Sequence, residues 1–402
     1  MFKSDNLTYG HGRQRQASRL LEIIRQFTPN WFTATMGTGI LALALNQFPL
    51  PIPALHEIGR TLWMMNIGMF LLFSGLYAAR WILFFDQARR IFAHSVVSMF
   101  FGAIPMGLAT IANGFLAFGI GLWGHHAVDI AITLWWIDAA MSLLCGIAIP
   151  FLMFTRQDHS VDKMTAVWLL PVVAAEVAAA SGGLLVPHLA DAEGFRILMV
   201  SYMLWAFSVP LAMSILVILL LRLAVHKLPH RDMAASGWLA LGPIGTGALG
   251  LLLLGGDAPR VFASMGMPDI GQVAAGIGVI GGTMLWGYGL WWLLLAVLTT
   301  ARYIREGMPF NIGWWGFTFP LGVYAVGTLA LARATHLGFL FAIGGGLIVC
   351  LAAFWAVVMA RTLHGAWHGY LFVSPCLLTG AIPGDFEAPT LPACLPSTGR
   401  PT

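Results

Sequence analysis

Charge is what this sequence has least of. Asp, Glu, Lys and Arg make up 9% of its 402 residues, against about 25% in an ordinary soluble domain, which excludes a water-soluble globular fold. Cysteine is also sparse: Cys145, Cys350, Cys376 and Cys394 fall in no CxxC spacing, so neither a zinc site nor a disulfide framework is indicated. There is no HExxH, no Ser/His/Asp set and no row of paired histidines for haem or di-metal chemistry. These absences argue against a membrane-embedded enzyme, the rival function class, and against a metal or other cofactor. His364 and His368 stand at i, i+4 spacing with no third ligand evident. The basic residues form no continuous stripe, which argues against nucleic acid as a partner. No apolar run ending in a small-residue cleavage site occurs in the first 27 residues, so the first span is expected to act as its own insertion signal.

What is abundant is apolar surface. Hydrophobic residues make up 58% of the chain and the mean hydropathy is +0.81, the composition of an all-α polytopic membrane protein in contact with the lipid bilayer. Ten runs of about 20 or more apolar residues suffice to cross roughly 30 Å of hydrocarbon. They lie near 30–49, 62–85, 91–118, 127–153, 164–187, 196–221, 233–256, 270–300, 311–333 and 337–361. The chain divides accordingly into an N-terminal segment over 1–29, a ten-helix transmembrane domain over 30–361, and a tail over 362–402. From Ala17 to Phe27, Leu20, Leu21, Ile24 and Phe27 share one helical face, which suits a helix lying on the membrane or one packing on the protein itself. With ten spans and a cytoplasmic N-terminus, 17 of the 21 Lys and Arg fall inside and only Arg60, Arg196, Arg260 and Arg333 outside. That bias places both termini in the cytoplasm.

Four odd-numbered spans carry a proline, Pro105, Pro171, Pro243 and Pro320, each a few residues after an aromatic. The prolines are expected inside the helices, as kinks. Met36 stands roughly where the first span's proline would be, so the ten spans read as five tandem hairpins able to close into a ring. The odd spans also hold Thr33, Thr35, Thr38, Ser98, Thr110, Asn113, Glu176, Ser181, Thr246 and Thr318. Groups costly in lipid should face an enclosed space, so the odd helices are expected inside and the more aliphatic even helices outside. The ninth span, GWWGFTFPLG over 313–322, combines Phe317, Thr318, Phe319 and Pro320; it reads either as an aromatic packing helix or as a constriction.

The tandem hairpins, the opening PNWFTATMGTGILALAL, the fifth-span WLLPVVAAEVAAASGG and the ninth-span WWGFTFPLG resemble the tellurite-resistance/dicarboxylate transporter family. That family includes yeast sulfite efflux pumps, fungal malate transporters, bacterial tellurite-resistance proteins and slow anion channels of plant guard cells. The resemblance covers about 27–361 and implies a quasi-fivefold bundle around a central pore, in the inner (plasma) membrane, often as a homotrimer. It implies transport of small inorganic or organic anions, such as sulfite or a C4-dicarboxylate like malate, past a phenylalanine gate. The gate matches Phe319, with Phe317 as the second choice; Thr35, Thr38, Pro105, Pro171, Glu176, Pro243, Thr318 and Pro320 are the expected pore-lining or kink residues.

Glu176 is anomalous, because a carboxylate inside an inner span is costly if ionised and has the wrong sign for an anion path. It is expected to be neutral and to donate a hydrogen bond, or to pair with a histidine such as His94. It then serves either as a structural carboxyl or as the proton-coupling group of a dicarboxylate carrier. Asp138, on the even fourth span, is expected to anchor neighbouring hairpins by a hydrogen bond.

Overall fold

The computed structural model describes residues 19–374 and 377. The polar stretch 1–16, Cys376, Cys394 and the proline-rich end of the tail lie outside the described residues. Ten principal helices follow one another: α1 (Thr33–Asn46), α2 (Pro53–Leu83), α3 (Ala103–Gly114), α4 (His125–Thr155), α5 (Leu170–Leu185), α6 (Asp191–His226), α7 (Leu241–Ser264), α8 (Pro268–Glu306), α9 (Phe319–Thr335) and α10 (Gly338–His368). Among the described residues nine helical segments are long and apolar enough to cross a membrane. The first expected span is the exception. Its 14-residue helix α1 rises about 21 Å at 1.5 Å per residue, and it is buried almost throughout. The last helix continues past Arg361 to His368.

The odd helices are inside. The windows containing α3, α5, α7 and α9 are 67–100% buried within the protein, whereas those of the even helices are 17–33% buried. The inner helices touch in cyclic order, α1 on α3, α3 on α5, α5 on α7, α7 on α9 and α9 back on α1. Each outer helix packs on the inner helix before it and on the one after it, with α10 reaching forward to α1.

The prolines correct one expectation. Each odd helix is preceded by a 3₁₀ segment: Pro29–Phe32, Val97–Gly102, Ala166–Leu169, Arg231–Ala240 and Ile312–Phe317. Pro105, Pro171, Pro243 and Pro320 fall in the first α-helical turn after it, where the missing N–H costs no i−4 hydrogen bond and the fixed φ suits the helix. They therefore mark where the tighter 3₁₀ winding gives way to α, and they are not interior kinks. The helix-interior prolines are Pro150, Pro210 and Pro259.

One interaction recurs around the bundle. Each outer helix carries a tryptophan whose indole N–H is donated to the next inner helix. Trp63 of α2 donates to the carbonyl of Ile111, Trp135 of α4 to Ala178, and Trp205 of α6 to Gly247. Trp286 of α8 donates to the Thr328 hydroxyl, and Trp355 of α10 to the Thr38 hydroxyl. All five lie between 2.8 and 3.1 Å. Inner-helix glycines make room for the rings: a Cβ on Gly114 would sit 2.2 Å from Trp63, and one on Gly182 3.2 Å from Trp135.

The first and last described segments meet on one face. A helix over 19–26 leaves Leu20 and Leu21 exposed and buries Ile24, so it packs on the protein through part of its apolar face. Arg19 donates to the carbonyl of Trp367 at 3.0 Å, and Gln26 accepts from the Ser374 N–H at 2.8 Å. Buried Arg80 bridges both ends, donating to the carbonyl of Phe27 and, at 3.3 Å, to the Ser374 hydroxyl.

Two outcomes test this packing. Trp355→Phe keeps an aromatic ring, though a smaller one, and removes the donor, so a loss of at least about 1 kcal/mol is expected as a lowered melting temperature in detergent. Gly102→Ala should cost more, about 1–3 kcal/mol, because its Cβ would lie 2.1 Å from the backbone oxygen of Leu170; an unchanged melting temperature would contradict the close approach.

Candidate functional site

A cavity of about 270 Å³ lies at the centre of the inner ring, and every inner helix contributes to it. Ile40 and Leu43 come from α1, Thr110 and Asn113 from α3, Ser181 and Leu184 from α5, Thr246 and Leu249 from α7, and Phe319, Val323 and Val326 from α9. These positions occupy the second halves of α1, α3 and α5 and the first half of α7. Phe319, the first residue of α9, therefore lies at the deep end. Met36, Met106 and Val173 stand one helical turn before Ile40, Thr110 and Val177 and belong with Phe319 to one buried cluster. The floor is closed by packed side chains.

At the other end the cavity reaches Asn46, Gln47 and His188. A second volume of about 330 Å³ shares Gln47, Leu184, Leu249 and Val326 and adds Arg333. Arg333 donates through Nη2 to Oε1 of Gln47. No carboxylate is among the residues lining either volume, and Arg333 supplies the fixed charge at the mouth.

The wall hydroxyls differ in what they have left to give. Thr110 donates to the carbonyl of Gly107 at 2.8 Å, and Ser181 to that of Val177 at 2.9 Å while accepting from Asn113 at 2.9 Å. Their protons are committed to backbone. Thr246 lines the cavity, and its hydroxyl oxygen is buried with no hydrogen-bond partner among the described residues. A π-helical turn over Phe115–Gly119 follows α3 and brings Leu116 and Ala117 to the wall.

Of the residues expected from sequence, Phe319 lines the cavity and Phe317 does not. Phe317 sits in an aromatic cluster with Trp238, Trp314 and Phe354 at centroid distances of 5.6–5.8 Å. Thr318 donates to the carbonyl of Trp315 at 2.7 Å and stands where a Cβ on Gly37 would meet it. Thr35 donates to Phe32 at 2.7 Å and abuts Gly107 of α3, while Thr38 accepts from Trp355. These threonines sit at helix contacts, Thr38 through a hydrogen bond and Thr35 and Thr318 through packing, while Pro105, Pro171, Pro243 and Pro320 stand at the starts of their helices.

Glu176 is fully buried outside the cavity lining. Its carboxyl lies beside Ser208 of α6, whose proton goes to the carbonyl of Val172 at 2.8 Å. Neither carboxyl oxygen of Glu176 has a hydrogen-bond partner among the described residues, so the hydrogen bond expected of it is not made. His94 is engaged elsewhere: its Nδ1 faces the N–H groups of Val96 and Val97 at 3.2 Å, and burial holds it below the usual imidazole range. Asp138 is buried without a hydrogen-bond partner among the described residues. The anchor expected of it is made one turn earlier by Trp135.

Asn46, Gln47, His188 and Arg333 were not among the expected site residues. They lie at the far ends of the inner helices, where sequence offered only loop-like polarity.

The family model for the voltage-dependent anion channel SLAC1 matches residues 26–363. A sulfite efflux pump SSU1 of Arthroderma benhamiae is 39% identical over 352 residues, covering 87% of this chain and 93% of its own length. An uncharacterized transporter of Methanocaldococcus jannaschii is 29% identical, covering 88% of this chain and 97% of its own. The malic acid transport protein of Schizosaccharomyces pombe is 22% identical, covering 75% of this chain and 69% of its own. A match across the whole ring of helices, with a central cavity that carries no acid, makes the chain a member of the SLAC1 voltage-dependent anion channel family.

Proposed function

We propose that the chain moves small anions through the cavity enclosed by α1, α3, α5, α7 and α9, with Phe319 as the gate. The observation that carries this reading is the floor: all five inner helices line one cavity, and Phe319 lies at its closed end. A pore for anions needs positive potential at its mouth and weak donors within, because tight sites would stop conduction. Arg333 and the unspent Thr246 hydroxyl meet those needs.

Sulfite is the first cargo to test, since a relative bearing the name sulfite efflux pump covers most of the chain, and malate is the second. The bias of 17 basic residues against four sets the termini in the cytoplasm of a plasma-membrane protein, so the cavity opens outward and Phe319 closes the inward path. A homotrimer is the assembly in keeping with the family resemblance. The proton-coupled reading through Glu176 has less support, because that carboxyl lies by the outer helix α6 and off the cavity wall.

Liposomes loaded with labelled sulfite, malate or chloride provide the test. Phe319→Ala should raise anion flux about tenfold or more, the factor for a barrier lowered by about 1.4 kcal/mol. Phe317→Ala should leave the flux near that of the parent and lower stability by about 3–5 kcal/mol. The reverse result would move the gate to the other face of the helix. Arg333→Gln should reduce sulfite flux several-fold at low ionic strength, with the deficit shrinking as salt screens the mouth; a deficit independent of salt would remove Arg333 from the anion path.

A further inference from the structure

A separate cavity of about 290 Å³ lies between the third and fourth hairpins, at the end of the bundle where the inner helices begin. Its walls are apolar, with Leu219 and Leu223 from α6 and Trp292 and Ala296 from α8. The two outer helices do not pack on one another along their length. The crevice between them is flanked by exposed Leu220, Leu221, Leu294 and Leu298, at the level where the protein meets hydrocarbon. Trp292 is 3% exposed, and its indole N–H has no hydrogen-bond partner among the described residues. Such a buried donor is costly unless something fills the cavity and accepts from it.

Above the apolar part the chemistry changes sign. A second hollow shares Leu223, Leu228, Pro229 and Tyr303 and is rimmed by Lys227, Arg231 and Arg302. Arg302 is paired with Glu306 at 2.8 Å, and His230 with Asp232 at 3.2 Å. Lys227 and Arg231 have no ion pair among the described residues. Beneath them Arg222, 5% exposed, donates to the carbonyls of Asp162 and Lys227. That bond helps hold Lys227 at φ 64°, a conformation non-glycine residues seldom adopt. Tyr303 stands at the boundary, its hydroxyl donating to the carbonyl of Pro229 at 2.6 Å.

We propose that this crevice binds an anionic phospholipid of the leaflet on the basic face, with one acyl chain in the apolar cavity and the phosphate on Lys227 and Arg231. The vertical order, hydrocarbon-lined below and cationic above, is that of a lipid tail and its headgroup. A soluble phosphate would leave the apolar cavity empty, whereas a lipid's acyl chain fills it. The site is distinct from the central cavity and does not depend on which anion crosses the membrane.

The experiment uses the full-length protein in detergent, titrated with phosphatidylglycerol, phosphatidylcholine or glycerol phosphate, with bound lipid read by native mass spectrometry. Phosphatidylglycerol should be retained in preference to phosphatidylcholine, and glycerol phosphate should not displace it. Lys227→Gln combined with Arg231→Gln should weaken phosphatidylglycerol retention by roughly 30-fold, from about fivefold per surface cation. Gly237→Leu should abolish it, because Gly237 lines the cavity and a Cβ there meets only Thr299 Oγ1, at 3.9 Å. Equal retention of the two lipids, displacement by glycerol phosphate, or unchanged retention in the double glutamine variant would overturn the proposal. So would a change of oligomeric state in Gly237→Leu with lipid retention intact, which would make the crevice a subunit interface. Should Gly237→Leu fail to fold, the glutamine pair, both exposed, decides the question alone.

Discussion

Five indole hydrogen bonds hold the ring together. An aliphatic outer helix has little reason to prefer one rotation or depth against its inner neighbours, because lipid is as apolar as leucine. A directional bond from Trp63, Trp135, Trp205, Trp286 or Trp355 removes that freedom, since it forms at one register only. It does so between hairpins, from each outer helix to the inner helix of the next unit. Short loops already tie the helices within a hairpin. Gly114 and Gly182 then serve as seats for the rings, so the small residues of the inner helices act through a specific partner.

With the register set, the inner helices divide their length between two tasks. Their first turns, tightened into 3₁₀ segments and carrying most of the aromatic and methionine bulk, pack into a closed core. The turns that follow, late in α1, α3 and α5 and early in α7 and α9, surround the central cavity. Phe319 belongs to both parts: it is the last packed residue and the first lining one. That position, more than its aromaticity, separates it from Phe317 two residues earlier, which is surrounded by Trp238, Trp314 and Phe354.

Much of this was legible in the sequence. Low charge and long apolar runs gave the fold class, the distribution of hydroxyls and carboxyls gave the inner set, and the recurring proline gave the repeat. The proline's role was misjudged because composition cannot distinguish a first-turn position from an interior one without knowing where the α-helix begins. The tryptophan repeat has no signature in the sequence, because only geometry shows an indole donor on an outer helix pointing inward. Among site residues, Phe319 was reached through the family resemblance. Thr35, Thr38 and Thr318 look equally suited to a pore, but Thr35 and Thr318 spend their protons on carbonyls three residues back and Thr38 accepts from Trp355. Gln47, His188 and Arg333 sit at helix ends, where polarity is expected for any reason and therefore singles out nothing.

The closing bond of the ring has a consequence for how the protein is made. Thr38 belongs to the first helix and its donor Trp355 to the last, 317 residues later. Membrane helices emerge in order from the ribosome, so α1, short and studded with threonines, must wait in the bilayer for a partner synthesised at the end. Until then the growing chain is an open arc with its polar inner faces uncovered, a contact pattern of high sequence separation that folds slowly. Chain termination before α10 would leave no smaller working ring, only an arc that cannot close.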